Sequence, residues 1–167
     1  LLPALDSGGV ERSTLEIAAA LVAAGHRSIV VSAGGRLVAP LEAAGSEHVA
    51  LAIGRKSPRA WLAMRALRAK LAEWRPDIVH ARSRLPAWLG WFALRGLPAP
   101  RPHFVTTVHG LNSPGRYSGV MVRGERVVCV SESVRAHVLR QWPDTDPARL
   151  QVIERGIAPE DFPRGFE

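Results

Sequence analysis

Leu1-Leu2-Pro3-Ala4-Leu5-Asp6-Ser7-Gly8-Gly9-Val10-Glu11-Arg12 opens the chain, and the fold turns on how it is read. The apolar run Leu1 to Leu5 reads as a strand, Gly8-Gly9 as a tight turn, and a helix opens near Val10. Strand, double-glycine turn and helix together make a geometry that binds anions. Glycine tolerates positive φ and lets a ligand come close to the backbone. The first amides of the helix have no partner, and its positive dipole end faces the loop. A phosphate-bearing substrate is therefore expected at Gly8 and Gly9. The plainer alternative is that the two glycines only close a βα turn.

The rest of the chain continues the alternation. The first helix keeps Leu15, Ala18, Ala19 and Val22 on one face and stops at Gly25. Ser28 to Ser32 is a β-branched strand, Leu37 to Ala44 a short helix closed by Gly45, and His48 to Ile53 a further strand. Ser57-Pro58 carries the cap and first-position proline of a helix running to about Trp74, where Pro76 stops it. Then follow strand Asp77 to His80, helix Pro86 to Arg95, strand His103 to Val108 and loop Leu111 to Ser118. Strand Arg126 to Val130, helix Glu132 to Gln141, strand Leu150 to Ile153 and a loop-like tail from Ala158 complete the series. About seven strands with helices between them predict an α/β, Rossmann-like doubly wound sheet, mainly parallel, with helices on both faces. Its 167 residues suit one domain.

Composition narrows the function. With 47% hydrophobic and 22% charged residues the chain reads as globular. Its longest apolar stretch, Ile17 to Ala24, is too short to cross a bilayer. The chain does not begin with Met and strand one reads as clipped, so residues upstream are expected. The lone Cys129, inside Val127-Val128-Cys129-Val130, is a buried hydrophobe in a reducing, cytoplasmic setting. A net charge of +7, most of it arginine, asks for an anionic partner. Nucleic acid is disfavoured, because the basic residues are spread out and no helix-turn-helix, RNP or zinc-finger pattern occurs.

In a doubly wound sheet ligands bind beyond the carboxyl ends of the strands. Those ends carry Gly8 and Gly9, Ser32, Gly54, His80 with Arg82 to Arg84, His109-Gly110 and Ser131-Glu132. The turn lacks the Gly-x-Gly-x-x-Gly of dinucleotide sites, and strand two ends in Ser32 rather than an acid. Arg36 keeps an NADP-binding domain open as a weaker alternative. His109 is placed for donor, acid or base work, or it is a satisfied histidine in a strand-end turn. His80 reads as packing. Ser131 either caps the following helix or turns its hydroxyl to the cleft. No Cys or His cluster has metal-ligand spacing. The helix to Trp74, with Arg55, Lys56, Arg59, Arg65 and Arg68 on or beside it, is either ordinary amphipathic scaffold or a surface for anionic lipid, aided by Trp61 and Trp74.

Six pieces in order resemble the N-terminal domain of glycosyltransferase family 4, of the GT-B fold. They are Gly8 to Arg12, Gly25-His26, Arg75 to Arg84, Val105 to Gly110, Val130 to Ser133 and Val152 to Ile157. Near the last piece the family often has Pro-Asn-Gly followed by an acid. Here Glu154-Arg155 precede Gly156, and Ala158 stands where the acid often lies. The resemblance implies retaining transfer of a sugar from a UDP- or GDP-sugar co-substrate, with no bound cofactor or catalytic metal. It implies that residues 1–167 form the acceptor-side domain, inactive alone, and that the nucleotide-sugar domain lies outside this chain. The implied roles are catalysis for His109 and donor diphosphate or sugar contact for Gly8 and Gly9. Arg12, Arg82, Ser83, Arg84, Gly110, Ser131 and Glu132 would meet an anionic glycan or lipid-linked acceptor. The Arg82-Ser83-Arg84 form is like the subset that builds bacterial lipopolysaccharide or other surface glycans. Such an acceptor would give attachment to the inner face of the cytoplasmic membrane a purpose. The competing reading is a non-catalytic module for an anionic phosphorylated ligand.

Overall fold

A computed structural model describes residues 1–55 and 60–156. The expected cap Ser57-Pro58, the basic residues Lys56 and Arg59, Ile157 and the tail lie outside the described residues. The elements run α1 (Gly9–Ala23), β1 (Ile29–Ser32), α2 (Val38–Ala43), β2 (Glu47–Ala50), α3 (Ala60–Trp74), β3 (Ile78–Ala81) and α4 (Arg84–Arg95). Then come β4 (His103–Val108), β5 (Arg126–Cys129), α5 (Glu132–Gln141) and β6 (Leu150–Val152), with short 3-10 helices at Ser118–Val122 and Pro147–Arg149. The first of these replaces part of the expected loop. The second was not expected, and Asp146 caps it by accepting from the Ala148 amide at 2.9 Å.

Every strand pair is parallel. The order is β1-β2 in one sheet and β3-β4-β5-β6 in another. Leu1 to Leu5 is not a regular strand, yet it joins the two. On one side Leu2 donates to Val31 O at 3.2 Å, Ala33 to Pro3 O at 3.0 Å and Leu5 to Gly34 O at 2.8 Å. On the other the Leu1 nitrogen donates to His80 O at 2.7 Å, and the Arg82 amide to Leu1 O at 3.0 Å. Pro3 has no N–H to give, so the segment mixes single bonds to both flanks instead of forming a ladder. The hydrogen bonds therefore run β2, β1, residues 1–5, β3, β4, β5, β6. That is the expected doubly wound sheet with its seam at the opening segment.

Side chains alternate across the strands, and two cores result. Val30 packs with Leu2, Leu5, Ala18 and Leu41 beside α1 and α2. Its neighbour Val31 joins the larger core, with Leu67 of α3, Leu94 of α4, Phe104, Val127 and Val138 of α5. Thr106 is fully buried and donates to Met121 O at 2.6 Å, tying β4 to the 3-10 helix beneath it. Thr106→Val is expected to lose about 1–3 kcal/mol in urea unfolding, because the Met121 carbonyl is left without its donor.

The α3 helix buries Ala63, Met64, Leu67 and Leu71, and Trp74 packs against the same core. Trp61 and Leu62 are 58% and 60% exposed, and the Arg65 guanidinium lies 4.9 Å over the Trp61 ring. Arg68 corrects the expectation of a lipid-facing residue. Its Nη2 donates to Phe92 O at 3.2 Å and approaches Met64 Sδ at 3.4 Å, and its guanidinium lies over Gly96. The missing side chain at Gly96 admits it between α3 and α4. Beyond it, Trp88 stacks on Phe92 at 5.5 Å, and Arg95 and Arg123 both cover Trp91 at 4.6 Å.

Candidate active site

Gly8 and Gly9 form the turn into α1. Gly8 has φ +141°, and a Cβ there would lie 2.6 Å from Glu11 Oε2 in the first helical turn. A Cβ on Gly9 would lie 2.7 Å from Nη1 of Arg155. The glycines thus have a steric reason beyond closing a turn: a guanidinium from beyond β6 rests against the bare Cα of Gly9. The same guanidinium reaches His109, with Nη2 to Nδ1 at 2.5 Å. His109 follows directly on β4, and its Nε2 is buried with no partner among the described residues.

Arg82 corrects a second expectation. It is only 7% exposed, turned inward beneath α1, where Nη2 donates to Ser13 Oγ at 2.5 Å. Its Nε is also buried, with no partner among the described residues. It therefore stands as buried positive charge and not as a surface cation. No carboxylate forms an ion pair with it among the described residues. Burial first, then the nearby Arg155, push its pKa down to about 10, against the pull of Glu16.

His109 feels the same surroundings. Burial, then Arg82, then Arg155 press it down to about 3, so the ring is neutral across the physiological range. His80, bonded to Thr107 Oγ1 at 2.7 Å, is likewise driven down to about 3, chiefly by burial, with Arg82 and His109 adding to it. The sign of the pH effect follows. Both histidines bind a proton near 6.5 when unfolded and near 3 when folded, so the unfolded chain holds more protons between those values. Stability is expected to be full above about pH 6.5 and to fall steadily as pH drops towards 3. Urea midpoints measured across that window check this, and His80→Gln should flatten the slope.

The other expected residues divide. Ser131 caps α5 by accepting from the Val134 amide at 3.3 Å, and it also lies 2.9 Å from Ser133 Oγ. Its hydroxyl is thus engaged in the cap, the first of its two readings. Ser83 stands at the N-cap of α4. Arg84, at the start of α4, approaches Ser118 Oγ at 3.4 Å and lies 5.5 Å over the Tyr117 ring. Arg12 and Glu132 are exposed at the starts of α1 and α5, and Gly110 is half-buried after β4. Arg36 donates to Asp6 O at 2.7 Å. Arg55 lines an open cavity of about 320 Å³ with Pro3, Asp6, Gly34, Gly35 and Gly54, at the carboxyl ends of residues 1–5, β1 and β2. Sequence reasoning named Gly54 and Arg55 but not that cavity. It also gave Arg155 no role, although the departure at Glu154-Arg155 was visible. No helix among the described residues is long and apolar enough to cross a membrane.

A parallel α/β domain with a glycine turn, a histidine and converging guanidiniums at its carboxyl edge has the architecture of one domain of a GT-B glycosyltransferase. Residues 7–161 match the family model described as Glycosyltransferase Family 4, and the chain belongs to that family. A glycosyltransferase from Rickettsia africae is 33% identical over 93% of this chain, with TM-score 0.78. HepE from Anabaena, solved in complex with UDP and glucose, is 19% identical over 93% of the chain with TM-score 0.67. Sucrose-phosphate synthase from Thermosynechococcus elongatus is 17% identical over 96%, also with TM-score 0.67. The last two show the fold. No curated protein matches the chain. The chain spans only 42%, 44% and 46% of those three solved chains.

Proposed function

We propose that this chain is the acceptor-side domain of a retaining glycosyltransferase. The enzyme transfers a hexose from a UDP- or GDP-sugar to an anionic glycan or lipid-linked acceptor in surface polysaccharide or lipopolysaccharide synthesis. The observation that carries the reading is the convergence of Gly9, His109 and Arg155, with Arg82 near them, beyond the carboxyl ends of the parallel strands. Two guanidiniums that pair with no carboxylate among the described residues suit a diphosphate, whose leaving charge fixed donors stabilise without reorganisation. A neutral histidine suits a sugar hydroxyl. The match to a protein solved with UDP and glucose supports a nucleotide-sugar co-substrate. The nucleotide itself would be held by a second domain, and this domain alone would not turn over.

The test is to read the open reading frame beyond Glu167 and to assay its complete product for UDP or GDP release from a panel of nucleotide sugars. A downstream nucleotide-binding domain and acceptor-dependent release are expected. A frame with no second domain, or one whose product hydrolyses and transfers nothing, returns the chain to a phosphate-binding module.

A second reading concerns location. Trp61 and Leu62 stand exposed with Arg65 beside them, a combination suited to an anionic bilayer surface. We place the enzyme on the inner face of the cytoplasmic membrane through the start of α3. Each basic residue there contributes about 1 kcal/mol, so Arg65→Ala should weaken co-sedimentation with phosphatidylglycerol vesicles about fivefold. Arg68→Ala, which removes an inward residue, should change binding little. Absence of binding at low salt would end this reading.

A further inference from the structure

We propose that Arg155 is a positioning residue for His109: it donates to Nδ1, fixes the ring proton on Nε2, and so leaves a buried, neutral N–H as the hydrogen-bond donor of the site. The proposal rests on the glycosyltransferase reading for its purpose but not for its test.

Three observations carry it. A guanidinium only donates, so the Nδ1 that faces Arg155 Nη2 at 2.5 Å must be the acceptor. In a neutral imidazole the proton then sits on the other nitrogen. That nitrogen, Nε2, is buried and has no partner among the described residues. A buried donor left open in this way is the form of a group waiting for a ligand oxygen. Finally, Arg155 holds its pose because Gly9 has no side chain: a Cβ would sit 2.7 Å from Nη1. The double-glycine turn thus admits the residue that orients the histidine, in addition to any amide it offers to a ligand.

The electrostatics agree. The charged groups acting on His109 are Arg155 beyond β6 and Arg82 at the end of β3, both cationic. His80 on β3 is itself neutral, and Glu11 lies on the α1 side near Gly8. Burial and the two guanidiniums resist a proton on Nδ1, so the bond from Arg155 and the charge around it favour the same neutral tautomer. Sequence reading does not reach this pairing, because His109 and Arg155 are 46 residues apart and Arg155 stands at the departure from the family pattern.

The test is a long-range nitrogen–proton correlation spectrum of the imidazoles in the full-length protein, titrated with pH. His109 is assigned by the resonance lost in His109→Asn. The wild type should show His109 protonated on Nε2 alone and neutral throughout the accessible range, with its midpoint near 3. Arg155→Ala should give a mixture of tautomers and a midpoint moved towards the ordinary 6.5. Arg155→Gln keeps a donor without the charge, so it should retain the Nε2–H form while still raising the midpoint. Gly9→Ala should shift both readouts in the direction of Arg155→Ala, by less. A wild-type ring protonated on Nδ1, or an Arg155→Ala spectrum identical to wild type, overturns the proposal. The wild-type tautomer decides the matter even if Arg155→Ala does not fold. If the full-length protein transfers no sugar while the spectra come out as expected, the enzymatic reading fails and the positioning role stands.

Discussion

His109→Ala in the full-length protein is expected to fold as well as the wild type and to lose about 10²–10³-fold in turnover, the usual result of removing one preorganised donor. The two halves of that expectation have separate causes. The ring is an electrostatic burden on the fold, desolvated near two guanidiniums with one nitrogen unpaired among the described residues. Deleting it therefore removes a cost as well as some packing. Turnover suffers because the buried N–H is lost with the ring, and Arg82, turned to Ser13, does not replace it. Steady-state kinetics with saturating donor and acceptor, beside a urea unfolding curve, separate the effects. Full activity at saturation would make His109 a satisfied strand-end residue and nothing more.

Gly35→Ala is expected to lose about 2–6 kcal/mol, enough to leave little folded protein. Two penalties of about 1–3 kcal/mol each apply, backbone strain and overpacking. Gly35 has φ +142°, which a side chain adopts badly, and a Cβ there would drive into the backbone of Leu5 and sit 2.6 Å from Asp6 Oδ1. Leu5 belongs to the segment that joins the two sheets, and it cannot retreat without breaking its bond to Gly34 O. Gly34→Ala is the control. It shares the positive φ, +93°, but a Cβ there meets nothing within 4 Å, so only the strain remains. Equal losses in the two variants would show that crowding at the seam contributes nothing.

Much of the fold was legible because its signals are local. The switch from period-two runs to helical spacing marked β1, β4 and α5 closely, and the strand-end rule placed Gly9 and His109 on one edge. Arg68 was misread because spacing identifies the faces occupied by Met64, Leu67 and Leu71 but says nothing of a gap on another helix. Only Gly96, 28 positions later, makes room for that side chain. Arg82 looked like a surface cation because it follows a strand end. Its inward turn depends on Ser13, 69 residues away. Arg155 was passed over for the same reason. The missed features are contacts between distant residues of low periodicity, and the cavity by Gly54 and Arg55 is built from loops of three separate strand ends.

The seam at residues 1–5 also sets a timetable. During synthesis residues 1–5 are made about eighty residues ahead of one of their two flanks, His80 and Arg82. At 5–20 residues per second that is a wait of roughly 4–16 s. Through that interval Leu2 and Leu5, fully buried in the finished domain, can be sheltered only from the β1 side. Residues 1–5 are thus enclosed well after they are made, and the two halves of the sheet become one only when β3 arrives.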